Sequence, residues 1–333
     1  MTLTVDPTKP GDLDRAMMMM RSPGDVILAQ NGQFTTVGNW GFPDFRSLAK
    51  GVSLNATGSR ISFSAAYQGS AGGVPRPAKD LNILWGAGDN TVIGGSWDCT
   101  PPAGWFGGGL RFSGKFSLSG ATVSGLKGDW AFSGPGFTGV EVFAVSGEGA
   151  TGGSAVENCK VLGVSPNAYV SGIYLGATED NGIPSMVMNC DVDIRFDNQH
   201  AYAATYLTRF VDCKGRGGKY GFYTDTGACI ARLQRCELQG SWAAISMVGV
   251  GLVRRSVVAE ECKLVGGRGV EWWDKTPGSA SMDGGVMVSS CDIDAEYLAA
   301  VAAAKGSISF GENTYRQPVK TAVGSPGFKP FIA

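Results

Sequence analysis

The second half of the chain repeats a short phrase of alternating polar and apolar residues around a cysteine. Each copy reads polar, Cys, polar, apolar, which places the cysteine and the residue two positions later on one face of a strand. The copies are VENCKV (Cys159), VMNCDV (Cys190), FVDCKG (Cys213), LQRCEL (Cys236), AEECKL (Cys262) and VSSCDI (Cys291). Their spacings are 31, 23, 23, 26 and 29 residues, a period that predicts a solenoid.

Short strands, rather than helices, are expected to build each repeat. Residues 214–234 carry Gly, Tyr and Thr among short apolar alternations, a pattern that does not favour an amphipathic helix. The 51 glycines in 333 residues are about twice the usual frequency and suit tight turns between strands. Propeller blades of about 40 to 50 residues are too long for this period. We therefore predict coils of two or three strands, each stacked in parallel on its neighbours.

The start of the chain resembles the entrance of a right-handed parallel β-helix of the pectate-lyase-like superfamily. Residues 22–28 resemble the family's Pro-Gly-Asp first strand, and residues 48–61 resemble the next coil. Residues 12–20 predict a short helix with Asp12 as N-cap and an apolar stripe of Leu13, Ala16, Met17 and Met20. The resemblance implies an all-β, single-stranded right-handed parallel β-helix, whose open end is covered by this helix.

We divide the chain into three segments on this basis. Residues 1–50 hold the capping helix and first strand, residues 51–316 form the parallel β-helix, and residues 317–333 form an extended, Pro-rich tail. Three prolines disfavour regular structure in the tail, yet its apolar residues indicate that it docks on something. A neighbouring subunit is the first candidate for that surface.

Composition and charge exclude several classes of protein. The net charge is −1, so the chain lacks the basic surface that nucleic-acid binding requires. No apolar run approaches 18 residues, so membrane insertion is not expected. The first 14 residues, MTLTVDPTKPGDLD, lack the features of a secretory signal. We expect a virion or extracellular location, reached by lysis or after removal of a signal.

The cysteines are predicted to be buried free thiols, not disulfides or metal ligands. Equivalent residues of stacked strands lie about 4.8 Å apart, farther than the Cβ–Cβ distance of about 3.8 Å in a disulfide. Cys99 and Cys229 fall outside the repeat. No Cys-x-x-Cys pair exists, and the single histidine, His200, cannot build a His-rich zinc site. We predict no metal and no cofactor.

Aligning the coils on their cysteines places one later strand of each coil in register. The alignment predicts an inward set, Ile173, Phe222, Ile245 and Val270, and an outward set, Tyr174, Tyr223, Asp225, Ser246 and Glu271. Tyr174 and Tyr223, together with Trp273, are candidate sugar-binding residues because sugars stack on aromatic faces.

Three carboxylates on this surface are candidates for glycoside hydrolysis, which requires two of them beside the scissile bond. Two coils separate Asp225 from Glu271, on the order of 9.6 Å, at the edge of the inverting range. Glu271 and Asp274, on one strand and its turn, form a closer combination. Exposed acids are common on any solenoid, so the assignment of catalysis stays open.

A lyase site is the other catalytic hypothesis. Its Ca²⁺ would be held by Asp191 and Asp193 or by Asp292 and Asp294, and its basic residue would be Arg195, Arg232, Arg254 or Arg255. The alternative is that these aspartates are solvated strand positions that discourage edge pairing.

Three functions are compatible with the sequence. The first is a trimeric virion spike or fibre protein, resembling phage tailspikes, that binds a bacterial surface glycan with or without depolymerase activity. Such a protein would assemble as a homotrimer or dock on other virion proteins. The second is a secreted polysaccharide lyase or hydrolase, and the third is a non-catalytic structural decoration or adhesin module. Fold does not decide among them.

Overall fold

The alternating pattern folds as stacked parallel strands in the computed structural model. The structure describes residues 1–40, 45–64, 80–102, 106–128, 142–162, 170–179, 182–194, 199–224, 229–249, 255–274, 284–302, 307–316, 320–324 and 331–332. These residues form one parallel β-solenoid of about nine turns with one short helix, which confirms the predicted fold class. Within the described part of the chain, no helix is long and apolar enough to span a membrane.

The elements follow one another along the chain as short strands separated by tight corners. The first are β1 (Thr2–Thr4), α1 (Asp12–Met19), β2 (Val26–Leu28), β3 (Gln33–Thr36), β4 (Asn39–Trp40), β5 (Ser53–Asn55), β6 (Arg60–Phe63), β7 (Asp80–Gly86), β8 (Asn90–Ile93), β9 (Ser96–Asp98), β10 (Phe106–Phe112), β11 (Phe116–Ser119), β12 (Thr122–Ser124), β13 (Val142–Thr151), β14 (Ala155–Glu157), β15 (Lys160–Val161) and β16 (Val170–Glu179). They continue with β17 (Ser185–Met188), β18 (Asp191–Ile194), β19 (His200–Ala204), β20 (Tyr206–Val211), β21 (Lys214–Gly217), β22 (Tyr220–Thr224), β23 (Cys229–Gln234), β24 (Glu237–Gly249), β25 (Arg255–Glu260), β26 (Lys263–Asp274), β27 (Gly284–Ser289), β28 (Asp292–Ala302), β29 (Ser307–Phe310), β30 (Thr314–Tyr315), β31 (Lys320–Gly324) and β32 (Phe331–Ile332).

Strand pairing divides the solenoid into three faces. Face 1 is a 13-stranded sheet in the order β1-β2-β5-β8-β11-β14-β17-β20-β23-β25-β27-β29-β32. Face 2 runs β3-β6-β9-β12-β15-β18-β21-β24-β26-β28-β30, and face 3 runs β4-β7-β10-β13-β16-β19-β22-β24-β26-β28-β31. The long strands β24, β26 and β28 contribute to both of these faces. All described pairs are parallel except β4 with β7.

The N-terminal helix covers the apolar end of the solenoid, as predicted. Leu13, Ala16, Met17 and Met20 are all buried in the core. The prediction that Asp12 is the N-cap is wrong. Gly11 occupies that position with φ of 76°, and the Asp12 carboxylate instead accepts hydrogen bonds from the backbone N–H of Asp6 (2.8 Å) and from Arg15. Glycine takes this position because its left-handed backbone conformation is costly for other residues.

The corner between faces 1 and 2 uses one left-handed residue immediately before each cysteine of the repeat. These residues have φ between 49° and 55° and are Asn158, Asn189, Asp212, Arg235, Glu261 and Ser290. The backbone N–H groups of the first five donate to the next coil, for example Asn189 to Val211 at 3.0 Å. Polar side chains also stack along the corner, since the Asn189 amide donates to the Asn158 carbonyl oxygen at 2.7 Å. The single-residue corner therefore fixes where face 1 ends and face 2 begins.

The predicted thiol ladder is confirmed. All eight cysteines are free and buried. The backbone N–H of Cys236 donates to the sulfur of Cys262 at 3.4 Å, and that of Cys262 donates to the sulfur of Cys291 at 3.3 Å. Asn313 ends the ladder, because its side-chain oxygen accepts the N–H of Cys291 at 2.8 Å. The thiols therefore act as small apolar core residues with weak polar contacts.

The C-terminal segment extends the solenoid. Strand β31 pairs in parallel with β28, and β32 pairs with β29. Strands thus continue beyond the predicted boundary at residue 316, and the surface on which these strands dock belongs to the same chain. The prolines lie at positions 318, 326 and 330, outside these two strands.

Candidate functional site

Face 3 carries the file of residues that were predicted to point outward, and the predicted register is confirmed, but Ser246 and Glu271 in that file are buried. The register aligns Ser146, Tyr174, Ala203, Tyr223, Ser246, Glu271 and Ala300 in consecutive coils. The predicted inward set, Ile173, Phe222, Ile245 and Val270, is fully buried. One coil, that of β19, was absent from the sequence alignment and inserts Ala203 between Tyr174 and Tyr223. The five residues of β19 are all buried, so their pattern does not alternate.

Glu271 lies in the outward file but is only 7% exposed. Its carboxylate accepts hydrogen bonds from the indole Nε1 of Trp242 and from the hydroxyl of Ser246, the latter at 2.9 Å. The two donors bind different carboxylate oxygens. A buried carboxylate is stable only when it is paired in this way. Glu271 is therefore a fixed acceptor that positions Trp242.

A β-bulge brings Trp242 to the surface. Gly240 pairs with Gly266 and Ala243 pairs with Arg268, so two residues of β24 face only one residue, Gly267, of β26. Bulges re-aim side chains and are frequent beside functional sites. The side chain of Trp242 is 44% exposed, although its N–H is bound inside the protein.

Two cations lie against this indole. The guanidinium carbon of Arg268 is 3.7 Å from the centroid of the Trp242 ring, and the Nζ of Lys219 is 6.0 Å from it. Lys219 also lies 5.2 Å from the ring centroid of Tyr220. Burial, followed by the negative charge of Glu271, raises the pKa of Tyr220 above its ordinary value. We call Lys219, Trp242 and Arg268 the Trp242 platform.

Aromatic rings continue from the platform across the preceding coils. Tyr223 stacks on Tyr220 at 5.1 Å and on His200 at 5.0 Å between ring centroids. His200 is buried within this stack. Tyr174 lies two coils before Tyr223, and its ring centroid is 5.4 Å from that of Phe143. Of the predicted sugar-binding residues, Tyr223 therefore adjoins the platform, and Tyr174 lies in the same file.

The other predicted site residues fall at or beyond the edge of the described structure. Asp225 lies outside the described residues. Trp273 and Asp274 are the last residues of β26, and their backbones pair with β24, but their side chains are not described. The proposed carboxylate pairs of Glu271 with Asp225 or Asp274 therefore stay predictions.

The aspartates considered for Ca²⁺ belong to a column of alternating charges on face 2. Consecutive coils place side by side Lys160, Asp191, Lys214, Glu237, Lys263 and Asp292. Arg316 binds Asp292 at 2.7 and 2.8 Å, and Arg216 lies 3.6 Å from Asp193. Among the described residues, no group of three His, Cys, Asp or Glu could hold a metal ion. The ion pairs of Asp193 and Asp292 favour the alternative that these aspartates are solvated strand positions and not calcium ligands.

The platform itself was not predicted from the sequence, although a signal for its bulge exists. Ile245 follows Cys236 by nine positions, whereas Val270 follows Cys262 by eight. Because each pair links the ladder to the inward file, the extra residue must bulge from β24. The aromatic residue in that interval, Trp242, is the one that the bulge exposes.

The comparisons with known proteins define the class of fold. No protein-family model matches the sequence, and no curated protein matches it. The chain is similar to the A-module of the mannuronan C-5 epimerase AlgE4 of Azotobacter vinelandii, with a TM-score of 0.55 and 9% identity over 98% of this chain and 96% of that chain. It is also similar to the catalytic unit of the GH87 α-1,3-glucanase from Streptomyces thermodiastaticus strain HF3-3, with a TM-score of 0.52 and 10% identity over 99% of this chain and 67% of that chain.

A weaker likeness links the chain to the Dettilon tailspike protein, with a TM-score of 0.46 and 11% identity over 99% of this chain and 68% of that chain. At such identities the likeness concerns the fold alone. The class is therefore that of parallel β-helix proteins, and the function has to be argued from the residues of this chain.

Proposed function

We propose that this chain is a glycan-binding β-helix protein that acts outside the cell, as a virion spike or fibre protein that recognises a bacterial surface polysaccharide. The observation that carries the proposal is the exposed indole of Trp242, which a hydrogen bond to the buried Glu271 holds in place. A fixed aromatic face binds a sugar ring without first having to be ordered, which lowers the cost of binding.

The rest of the site supports an extended ligand. Tyr223 lies one coil before Ser246, the residue that shares Glu271 with Trp242. Successive coils are about 4.8 Å apart, so neighbouring coils place side chains at intervals comparable with the length of one sugar unit. A polysaccharide lying along face 3 would meet Trp242 and then the ring of Tyr223. A chain of sugars fits this arrangement better than one small molecule, because the platform is an open surface.

The homotrimer that we propose as part of this assignment rests on a second surface, the outer side of face 1. Its two outward files hold few charges and several apolar residues, namely Val26, Leu28, Ile93, Ala155, Met186, Met188, Val211, Val258 and Met287. Thirteen strands at about 4.8 Å make this strip about 58 Å long, or roughly 600–800 Å² for two files. That approaches the area of about 800 Å² per partner in a standard interface. A second and third copy of this chain are the proposed occupants, in a homotrimer.

The test is binding of the pure protein to capsular and lipopolysaccharide glycans. Trp242→Ala is expected to weaken binding at least about tenfold, while Tyr315→Ala, which removes a comparably exposed ring elsewhere, leaves it unchanged. Trp242→Phe keeps a ring but removes the donor to Glu271, and should bind with intermediate affinity. Undiminished binding by Trp242→Ala, or no glycan binding by the natural protein, would overturn the proposal.

The same samples decide whether the protein also cleaves its glycan. New reducing ends without ultraviolet absorbance would indicate a hydrolase, and both signals together would indicate a lyase. Asp225→Ala or Asp274→Ala should abolish reducing ends if these acids act with Glu271. Binding without either product would leave a recognition protein and remove the catalytic role from all three acids.

A further inference from the structure

We infer that the Trp242 platform selects an acidic glycan, one whose sugars carry a carboxylate or a phosphate. The inference rests on the proposed glycan binding and adds the chemical class of the ligand. It follows from two cations, Lys219 and Arg268, that form no ion pair with an acid among the described residues and that outnumber the one unpaired carboxylate beside them, Glu271.

Arg268 is held as a flat donor surface. Its guanidinium stacks on the indole of Trp242 at 3.7 Å, and its buried Nε has no hydrogen-bond partner among the described residues. A buried N–H without an acceptor is unfavourable, so the described residues leave this guanidinium incompletely satisfied. Stacking holds the planar guanidinium in one orientation. Its N–H groups then form a fork that matches the paired oxygens of a carboxylate or phosphate.

Lys219 adds a second charge at the other side of the bulge. It is exposed, and its contacts in the described structure are the rings of Tyr220 and Trp242. Its backbone oxygen accepts the N–H of Trp242 at 3.1 Å, so the bend between β21 and β22, which carries the lysine, is fixed to the platform. The ammonium group is thus placed beside the exposed part of the indole.

The nearby acids are already engaged. Glu271 accepts hydrogen bonds from Trp242 and Ser246, one on each carboxylate oxygen. Glu296 forms an ion pair with Lys320 at 2.8 Å. In the part of the chain that the structure describes, no acid lies within ion-pair distance of Lys219 or Arg268. The donors to Glu271 are neutral, so its carboxylate offsets one of the two cations, and Glu296 with Lys320 is neutral as a pair. The platform therefore keeps an excess of one positive charge, which an anionic ligand would complete.

Face 2 provides the contrast within the same molecule. There each lysine of the column lies beside an acid of the adjacent coil, as Lys263 does with Glu237 at 3.1 Å. Both faces are built from the same coils, so the absence of matching acids around the described part of the platform is specific to face 3. A sugar stacked on Trp242 would place an attached oxyanion within reach of both cations.

The experiment compares acidic polysaccharides with neutral forms of the same polymers. The probes are polygalacturonate, alginate, polysialic acid and bacterial capsular polymers containing uronic acids, each used before and after chemical reduction of its carboxyl groups. A phosphodiester-linked capsular polymer, with and without removal of phosphate, separates the second source of charge. Binding is measured by calorimetry at 50 and 300 mM salt.

We expect the acidic forms to bind at least about tenfold more tightly than their neutral forms, with affinity falling as salt rises. Arg268→Gln and Lys219→Gln should remove this preference, while Arg60→Gln, which deletes an exposed arginine on face 2, should keep it. Equal binding of both forms, with Trp242 still required, would overturn the inference and leave the proposed function standing. Binding of neither form, to any polymer tested, would overturn both.

Discussion

Trp242 donates its indole N–H to the carboxylate of Glu271, which lies one coil away along the solenoid. The bond joins a side chain that is 44% exposed to one that is 7% exposed. It explains how the protein keeps a large aromatic ring on its surface in one orientation. The polar end of the indole is satisfied inside, and the part of the ring that Arg268 does not cover is left for a ligand.

Replacement of Glu271 should affect both stability and binding. Glu271→Ala leaves the N–H of Trp242 and the buried hydroxyl of Ser246 without their acceptor, which is expected to cost about 1–3 kcal/mol in the free energy of unfolding. Glu271→Gln retains one acceptor oxygen and should lose less. Urea denaturation measures the first effect, and the glycan affinity of each folded variant measures the second.

The two effects distinguish a positioning residue from a catalytic one. If Glu271 only positions Trp242, Glu271→Gln should keep most of the affinity, and any cleavage by the natural protein should persist. If cleavage stops while affinity stays intact, Glu271 acts on the glycosidic bond. Unchanged stability and affinity in Glu271→Ala would contradict the positioning role.

Two adjacent serines offer a matched test of the corner geometry. Ser290 has φ of 55° and is exposed, whereas Ser289 is the last residue of strand β27. Glycine relieves the left-handed conformation at the first position and only adds unfolded-state freedom at the second. We expect Ser290→Gly to raise the free energy of unfolding by about 0.5 kcal/mol and Ser289→Gly to lower it by about 1 kcal/mol. Equal losses from both variants would show that the corner is not strained.

The fold was predictable because its determinants are local and periodic. The repeated sequence around each cysteine shows which strand residues alternate between the two sides of the strand in each coil. The apolar stripe that includes Leu13 and Met17 identifies the buried face of the helix. The N-cap was not predictable from Asp12, because Arg15 and the backbone of Asp6 compete for its carboxylate. The left-handed corners were also missed, since Glu261 and Arg235 are not residues that signal this conformation.

The candidate site was predictable only in part. Alignment on the cysteines identified the file that holds Tyr223 and Glu271, because register follows from alternation. It could not show that Glu271 is bound by Trp242, since that contact depends on a bulge that interrupts the alternation. The stacking of Arg268 on Trp242 depends on the same bulge. The contacts of the candidate site form where the repeat is interrupted, and the repeat pattern does not predict such interruptions.

Alkaline pH should destabilise the protein. Burial raises the pKa of the Cys99 thiol, and burial together with the charge of Glu271 raises that of Tyr220. A group with a raised pKa in the folded state contributes stability below its unfolded pKa, and this contribution is lost as pH rises above that value. The loss should begin near pH 8.5 for cysteine and near pH 10 for tyrosine.

Urea denaturation at pH 7, 9 and 10 measures this dependence. Cys99→Ala should make the fall above about pH 8.5 shallower, by up to about 1.4 kcal/mol per pH unit. The other titrating groups are the same in both proteins, so the difference between the two slopes reports Cys99 alone. Identical slopes for the natural protein and Cys99→Ala would mean that the buried thiol does not contribute to the loss.

The thiols should be unreactive in the folded protein. All eight cysteines are free and buried, so a thiol-specific reagent at pH 8 should modify few of them in hours. In 8 M urea all eight should react rapidly. Quantitative labelling followed by intact mass measures both states. Rapid modification of Cys236 or Cys262 without urea would show that the coils of the ladder open locally.

The proposed assembly through face 1 makes a prediction about mass in solution. Light scattering of the natural protein should give three times the chain mass of 34.7 kDa. Val258→Glu places a charge in the outward file of face 1, and Val265→Glu places the same charge in an outward position of face 2. Both valines are half-buried in the single chain, so the two substitutions are similar except for the face that they change.

Arg232, which lies beside position 258 in the adjacent coil, already pairs with Glu260. Burial of a further carboxylate in the interface is therefore costly, and Val258→Glu should dissociate the assembly into monomers that stay folded by circular dichroism. Val265→Glu should keep the mass of the natural protein. A monomeric natural protein would exclude the trimer, and a trimer that survives Val258→Glu would move the interface away from face 1. Glycan binding by the Val258→Glu monomer would then show whether one copy of the Trp242 platform suffices, because loss of multivalency lowers the apparent affinity for a polymer without changing the affinity of each site.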